Sequence, residues 1–547
     1  MNRRSRIIPM TTRNHRRNGS ILLIVLVTVA ILALSVLSFS SLMLVEEEAA
    51  RVNTRQIQSK YLVESGAEYT RIFLARPEAE IVESGGLWDS EDTFRGIPAV
   101  ADVNSDSPGS IGRFTLVSPG MNDDGIPEGI RYGVLDESSK ININTLHYYD
   151  YYDLQRDEEA TTARNILMAL PDMTEAIADA ILDFVDSDNE RRENGAESGE
   201  YSGMDPPYAA KNGPLDSIDE LLLVQGMTPE LLFGLDTNRN GVLDESEAAL
   251  GDVSSTEAES VLGWANYLTL YSKESNLTTE GLQKININGD DLDQLYDDLS
   301  SVLNDDWANF IIMIRSGNFS EGVPGEDDNV VTASFVPIEI PEEPEEVNKF
   351  RSVIDFMDIV LETEDDEGNV TFVESPLKSF PPGDPSLVLA MQNLTVYEGL
   401  TVPGRINIRQ APRAVLAGIP VLSEDPELLE EIISNRRVDL EDPGFLDLNR
   451  KFETFLLTEG FLGTGPIAKQ RMIQLMPYIN SGGSVYRAEI VGYFGDGRGT
   501  SRAGVVFDTT VPVPRILMWR DKSHLQTGYS IEALGSELEA IGSQLER

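Results

Sequence analysis

The first 45 residues constrain the fold before any other feature does. An uncharged, apolar run extends from Ser20 to Val45, long enough to cross a hydrocarbon core of about 30 Å as one helix. Backbone groups in lipid must be satisfied within the segment, so a lone run of this kind has only the helix open to it. Its flanks are asymmetric. Arg3, Arg4, Arg6, Arg13, Arg16 and Arg17 precede it, and Glu46, Glu47 and Glu48 follow at once. By the positive-inside rule the leader stays cytoplasmic and the rest of the chain lies on the other side of the membrane. A secretory signal peptide would have an apolar region of about 7–15 residues and a small-residue cleavage site. This run is longer and ends Ser-Leu-Met-Leu-Val-Glu.

The helix is expected to continue beyond the membrane. From Glu46 to Arg76 there is no proline and one glycine, Gly66, and Pro77 supplies a stop. Ile57, Tyr61, Leu62, Tyr69 and Phe73 recur at steps of four and seven, which predicts an apolar stripe along a stem. The Gly19-Ser20 junction resembles the cleavage site of type IV pilin-like proteins. In those proteins a prepilin peptidase cuts after the glycine and methylates the new amine. The resemblance implies that residues 1–19 are removed and that the apolar helix stays as an assembly stem. The fifth mature residue of such proteins is usually a glutamate that pairs with a neighbour's amine. Here it is Ile24. A carboxylate in lipid is costly without a positive partner, so its replacement points to a subunit at a filament tip.

Composition narrows the function classes. The chain has 547 residues, 43 basic and 92 acidic, for a formal charge of −49. Such a surface repels nucleic acid and anionic lipid and favours cations. With no cysteine there is neither a disulfide framework nor a thiolate metal site. Three histidines, His15, His147 and His524, leave little for a histidine-based centre. No nucleophile, base and orienting group come together in the sequence, so no enzyme is predicted.

Internal repeats organise the middle of the chain. Lys140-Ile141-Asn142-Ile143-Asn144 returns as Lys284-Ile285-Asn286-Ile287-Asn288 and as Arg405-Ile406-Asn407-Ile408. A related amphipathic segment follows each copy, at Ser217–Leu222, Ser352–Met357 and Phe452–Leu457. Helix breaks at Leu170-Pro171-Asp172-Met173 and Ile419-Pro420 outline helix-hairpin-helix pairs. Their turns lack the glycines of DNA-binding versions, and Asp172 would repel phosphate, so packing modules are expected and no nucleic-acid partner. Strands are predicted at Arg113–Val117, Ile130–Leu135, Val485–Phe494 and Thr500–Phe507. Pro341-Glu342-Glu343-Pro344-Glu345-Glu346 reads as part of an acidic linker within residues 321–346.

The sharpest chemical motif runs from Asp236 to Glu247. Asp236, Asn238, Asn240, Asp244 and Glu247 fill loop positions 1, 3, 5, 9 and 12, with Gly241 at 6 and the Val242 carbonyl at 7. That is the oxygen-ligand pattern of an EF-hand-like calcium loop, and two asparagines lower its charge towards moderate affinity. A single loop suits a structural Ca2+ rather than a sensor. A second carboxylate cluster, Asp186, Asp188 and Glu197, lies with Glu200 near Asp205 and is weighed equally as a metal site or a solvated loop.

From Gly133-Val134-Leu135-Asp136-Glu137 through the first Lys-Ile-Asn-Ile-Asn copy, the chain resembles the K-type minor pseudopilins of type II secretion systems, in a long form with three repeats. Ala180-Ile181-Leu182-Asp183-Phe184-Val185-Asp186-Ser187-Asp188, Asp205-Pro206-Pro207-Tyr208, Asn212-Gly213-Pro214-Leu215 and Val224-Gln225-Gly226-Met227-Thr228 continue the likeness. The resemblance implies an α+β fold: a transmembrane stem, a pilin-like antiparallel sheet and a large, mostly α-helical insert. The expected division is a leader at 1–19, the stem at 20–76 and a first sheet segment at 77–139. Helical repeats follow at 140–270, 271–400 and 401–480, and C-terminal strands and tail at 481–547. The family implies a tip subunit in the bacterial inner membrane, with its globular part in the periplasm and calcium in that part. It would start filament assembly with other minor pseudopilins, be processed by prepilin peptidase, and meet exported proteins and the outer-membrane channel. Two alternatives stay open: a DNA-uptake or adhesion pilus subunit that uses the helix-hairpin-helix modules, and an uncleaved, calcium-stabilised surface protein.

Overall fold

One unbroken helix, Ser20–Leu74, carries the chain out of its apolar run and onto the globular part in the computed structural model. The structure describes residues 20–100, 111–155, 161–251, 261–317, 320–325, 328–336, 340, 348–364, 370–379, 384–436, 451–495, 499–525 and 528–535. The leader with Gly19, and the Pro-Glu run at 341–346, lie outside them. At 1.5 Å per residue the 55-residue helix is about 80 Å long. Its large apolar side chains between Ile21 and Val45 are all exposed, whereas Leu62, Val63, Ala67, Thr70 and Phe73 are buried. The buried face corrects the predicted stripe: Leu62 and Phe73 belong to it, but Ile57 and Tyr61 are 47% and 61% exposed. The face mixes large and small residues: Ser59, Ala67 and Thr70 are buried beside Leu62, Val63 and Phe73.

That partner is an antiparallel sheet. Among the described residues its strands are β1 (Ile97–Val100), β2 (Gly112–Met121), β3 (Pro127–Arg131), β4 (Leu135–Asp136), β5 (Val485–Phe494), β6 (Ser501–Asp508) and β7 (Arg515–Asp521). The main order is β1-β2-β5-β6-β7, with β3 on β2 and β4 on β5. β5 is the hinge of the topology, pairing β2 on one side and β6 on the other. Strands from the two ends of the sequence therefore interleave, and everything between β4 and β5 is an insert. The alternation of β2, β5 and β6 sends Phe114, Leu116, Ala488, Ile490, Val505 and Phe507 to the helix, where they join Val63, Ala67 and Phe73 in one core. On the other face Val117, Val491 and Tyr493 are covered by Tyr529 and Leu534. The helix comes so close because side chains are missing. A Cβ on Gly66 would lie 2.6 Å from Ile490 Cγ2, and one on Gly492 would lie 2.5 Å from the Ser59 carbonyl oxygen. β1 and β7 add edges that the sequence pattern did not predict.

The insert is built from repeated closures. Each Ile-Asn pair forms a two-residue parallel bridge with a strand much later in the chain: Ile141–Asn142 with Leu268–Thr269, Ile285–Asn286 with Leu394–Thr395, and Ile406–Asn407 with Ile479–Asn480. The first asparagine of each copy accepts from the backbone N–H two residues on, at Asn144, Asn288 and Arg409. The second asparagine clamps the amphipathic segment. Asn144 exchanges two hydrogen bonds with the Leu215 backbone, at 3.0 and 2.7 Å, and Asn288 exchanges two of 2.8 Å with that of Phe350. In the third copy Arg409 stands in that place and lies over the Phe455 ring instead. The helix pairs Thr162–Met168 with Glu175–Val185, and Arg413–Leu416 with Pro426–Asn435, pack within one continuous core. Asp172 takes φ 57° in the first turn. The middle repeat adds a small sheet in the order Val330–Thr332, Val370–Glu374, Val360–Glu364, Ser320–Glu321.

Buried polar groups fasten insert to sheet. Asp136 accepts from Gly483 N at 2.7 Å and Asn407 Nδ2 at 2.8 Å, and Glu137 pairs with Arg487. Asp508 in β6 takes Lys273 at 2.8 Å and Arg515 at 2.8 Å. Burial pushes the Asp508 carboxyl up, but Lys273, Thr510 and Arg515 outweigh it and hold it at about 2.

Two consequences are measurable. Gly492→Ala should cost about 1–3 kcal/mol in urea unfolding, because the Ser59 carbonyl cannot move aside without shifting the helix; an unchanged midpoint would refute the close-approach argument. For Asp508, a folded value below the ordinary 3.8 means that its stabilisation is complete above about pH 4 and fades as pH falls towards 2. The stability gap between the parent and Asp508→Asn should therefore be flat above pH 4 and shrink below it, as followed by urea melts at each pH.

Candidate functional site

The loop 236–247 follows the short helix Pro229–Phe233 and ends in Glu245–Gly251. Its side-chain oxygens accept from backbone amides of the same loop. Asp236 accepts from Asn240 N and Gly241 N, both at 2.9 Å, Asn238 from Asn240 N at 3.0 Å, and Asn240 from Val242 N at 3.0 Å. Glu247 reaches back, with Oε1 accepting from Asn238 N at 3.1 Å and Oε2 from Asp244 N at 3.3 Å. Asn238 Nδ2 donates to Asp244 at 2.8 Å. Gly241 sits at φ 85°, where a side chain is strained and would also strike Pro119.

Asp236, Asn238, Asn240 and Glu247 are all at most 5% exposed. Burial, with a smaller push from Glu247, raises the Asp236 carboxyl. A cation at the centre would offset that cost, and the donor set is all oxygen, as calcium requires. The loop is also tied to the C-terminal region: Asn240 Nδ2 donates to Gly528 O at 2.9 Å, Lys522 to Arg239 O at 2.8 Å, and Arg502 to Asn238 O. Sequence pattern identified the loop's own residues; it carried no signal for these distant clamps.

The second cluster differs from its sequence outline. Asp183, Asp186 and Glu197 each offer an oxygen within 4.8 Å of the others. Asp188 stands outside this trio and accepts from Glu190 N at 2.7 Å instead. Glu200 forms a capping box with Glu197. Arg192 Nη1 lies between Asp183 and Asp186 at 2.7 and 2.6 Å, so a guanidinium already supplies positive charge there. Burial raises the Asp183 carboxyl against the pull of Arg192, and raises that of Glu197. Buried Asp186 Oδ1 and Glu197 Oε1 have no hydrogen-bond partner among the described residues. Gly195 makes the approach possible, since a Cβ there would overlap Asp183 Oδ2. Asp183 was legible only as a helix residue, because the loop that returns Glu197 to it is a tertiary feature.

Comparison with known proteins bears on the first repeat most directly. Residues 139–236 match the family model described as Type II secretion system (T2SS), protein K. The K-type resemblance carried by the residues around Lys140 and Asp183 is borne out over that span. Among solved structures, a chain of the GspK-GspI-GspJ complex from the enterotoxigenic Escherichia coli type 2 secretion system aligns at 11% identity and a TM-score of 0.29, covering 86% of this chain and 98% of that one. No curated protein matches the chain.

If the loop holds calcium, binding adds about 2.7 kcal/mol at a concentration 100 times the dissociation constant. Thermal melts of the parent should then shift upward in calcium relative to chelator. Asp236→Ala should lose that calcium-dependent shift, in addition to the cost in chelator of freeing the Asn240 and Gly241 amides. Equal melting of the parent in both conditions would refute a structural ion.

Proposed function

We propose that this chain is a minor pseudopilin of a type II secretion system that sits at the tip of the pseudopilus and starts its assembly. The observation that carries the reading is the division of labour along one helix. Ile21–Val45 presents apolar side chains on every side, as lipid or neighbouring stems require, while Leu62–Phe73 is docked on an antiparallel sheet. The match of residues 139–236 to protein K supports the choice of machine. Ile24, 62% exposed on the apolar half, supports the tip. A shaft subunit would carry a carboxylate there to meet a neighbour's amine, whereas a terminal subunit has none to meet.

In this reading the stem enters the inner membrane with its N-terminus cytoplasmic and its globular part in the periplasm. Prepilin peptidase cuts between Gly19 and Ser20 and methylates Ser20. Other minor pseudopilins pack against the stem below it, and the insert faces exported proteins and the outer-membrane channel. Calcium in the 236–247 loop braces the first repeat against the C-terminal strands, and the Asp183–Asp186–Glu197 trio is a second candidate for an ion. The subunit acts by assembly, with no catalytic step.

The deciding experiment is intact mass and N-terminal sequencing of protein recovered from its own membranes. A chain that begins at methylated Ser20 is the expected result, and Gly19→Leu should accumulate the full-length form. A chain that begins at Met1, or one cut beyond Val45, would overturn the pseudopilin reading.

A further inference from the structure

A cationic cleft lies inside this strongly acidic protein, between the first repeat and the C-terminal strands. Lys140, Arg239, Arg487, Arg520 and Lys522 line a cavity of about 100 Å³, which adjoins a second of about 340 Å³ past Arg487 and Arg520, floored by Tyr271, Met518 and Trp519. The carboxylates nearby are shared out. Arg487 has Glu137; Arg239 and Arg520 divide Asp219, at 3.5 and 2.6 Å; Lys522 and Arg502 divide Glu489, at 2.8 and 3.0 Å. Asp236 has both oxygens engaged by backbone amides of its own loop.

Lys140 has no such close contact. It is 9% exposed, and its ammonium makes no hydrogen bond or ion pair with any described residue. Burial and the neighbouring Arg487 push it down to about 8 against the pull of Glu137 and Asp236. The other two repeats show what the opening cation otherwise does. Lys284 donates to Met391 O at 2.7 Å and Arg405 to Met476 O at 3.1 Å, each carbonyl three residues before the closing strand. The equivalent residue in the first repeat is Ala265, which lines the same cavity, yet Lys140 does not bond to it. Two repeats use this cation to fasten their own closure. In the first it lines the cavity.

We propose that this cleft binds a carboxylate, with Lys140 as the buried charge partner and Arg520 at the rim. A carboxylate would give the Lys140 ammonium the close partner it lacks, in a cavity among other cations, where a charge-assisted hydrogen bond is strong. The adjoining cavity, with Trp519 and Met518, gives room for an apolar group attached to that carboxylate. Two sources share this chemistry: a free small anion, and a carboxylate carried on a polypeptide.

The test uses the detergent-solubilised full chain at constant ionic strength, titrated with sodium acetate, N-acetylleucine and neutral N-acetylleucine amide, and read by thermal melting. Both carboxylates should raise the melting temperature saturably, and the amide should not. Lys140→Met, which keeps the buried stem and removes the charge, should abolish the rise. Arg520→Gln, at the half-exposed rim, should weaken the apparent affinity several-fold and keeps the test open if the first variant fails to fold. N-acetylleucine saturating at lower concentration than acetate, with Trp519→Ala erasing the difference, identifies a polypeptide carboxylate; equal saturation identifies a free anion. No saturable response up to tens of millimolar, an equal response to the amide, or an unchanged response in both variants overturns the proposal.

Discussion

The fold depends on how closely the stem helix lies on β5. Ser59 and Leu62 pass directly over Gly492, and Gly66 passes over Ile490 and Phe114, at separations that leave no room for a Cβ. Such an approach brings Val63, Ala67 and Phe73 into one core with three strands. It also fixes where the rest of the chain can go. β5 is central in the sheet, β4 pairs its first residues, and the insert leaves and returns at that point. The lower helix is thereby rigid on the sheet while the upper helix stays free for lipid or neighbours. A single secondary-structure element serves both environments because its composition changes along its length rather than around its circumference.

Much of this architecture was legible, and the reasons are local. The apolar run, the proline stop and the alternation in Val485–Phe494 are properties of contiguous residues. The Lys-Ile-Asn-Ile-Asn copies were visible because each asparagine has a defined task, one folding its own turn and the other clamping a segment dozens of residues away. What the sequence concealed was the closing half of each module. Leu268–Thr269, Leu394–Thr395 and Ile479–Asn480 are two-residue strands paired in parallel across long separations, and a two-residue strand has no periodicity to read. β7 was hidden for a related reason: as an edge strand with half-exposed Ile516 and Trp519 it lacks a clean in–out alternation. The stem stripe was misplaced at Ile57 and Tyr61 because the helix turns to the sheet the face that carries Ser59, Leu62, Val63, Ala67, Thr70 and Phe73, and periodicity alone does not say which apolar face is covered.

The candidate sites follow the same division. Each candidate position of the 236–247 loop comes from one short stretch, so spacing alone could assemble the candidate set. The trio of Asp183, Asp186 and Glu197 could not be assembled that way. Its membership depends on a loop that folds back over Gly195, which substitutes Asp183 for the exposed Asp188.

Charge explains why cations are so carefully placed inside this molecule. With 92 acidic and 43 basic residues, self-repulsion works against the compact state. Exposed acids are relieved by salt, whose screening length is about 8 Å at physiological strength. Buried ones are screened far less and need partners at fixed distances. Arg405 answers Glu274 and Glu453, Arg487 answers Glu137, and Lys273 answers Asp508, each at a junction between modules. A scarce supply of cations is thus concentrated at seams, where desolvated pairs are costly to break and so hold the modules in register. Against that pattern Lys140 is the exception: Glu137 and Asp236 act on its charge without forming an ion pair with it, and it stands where the first repeat, the acidic loop and the C-terminal strands meet.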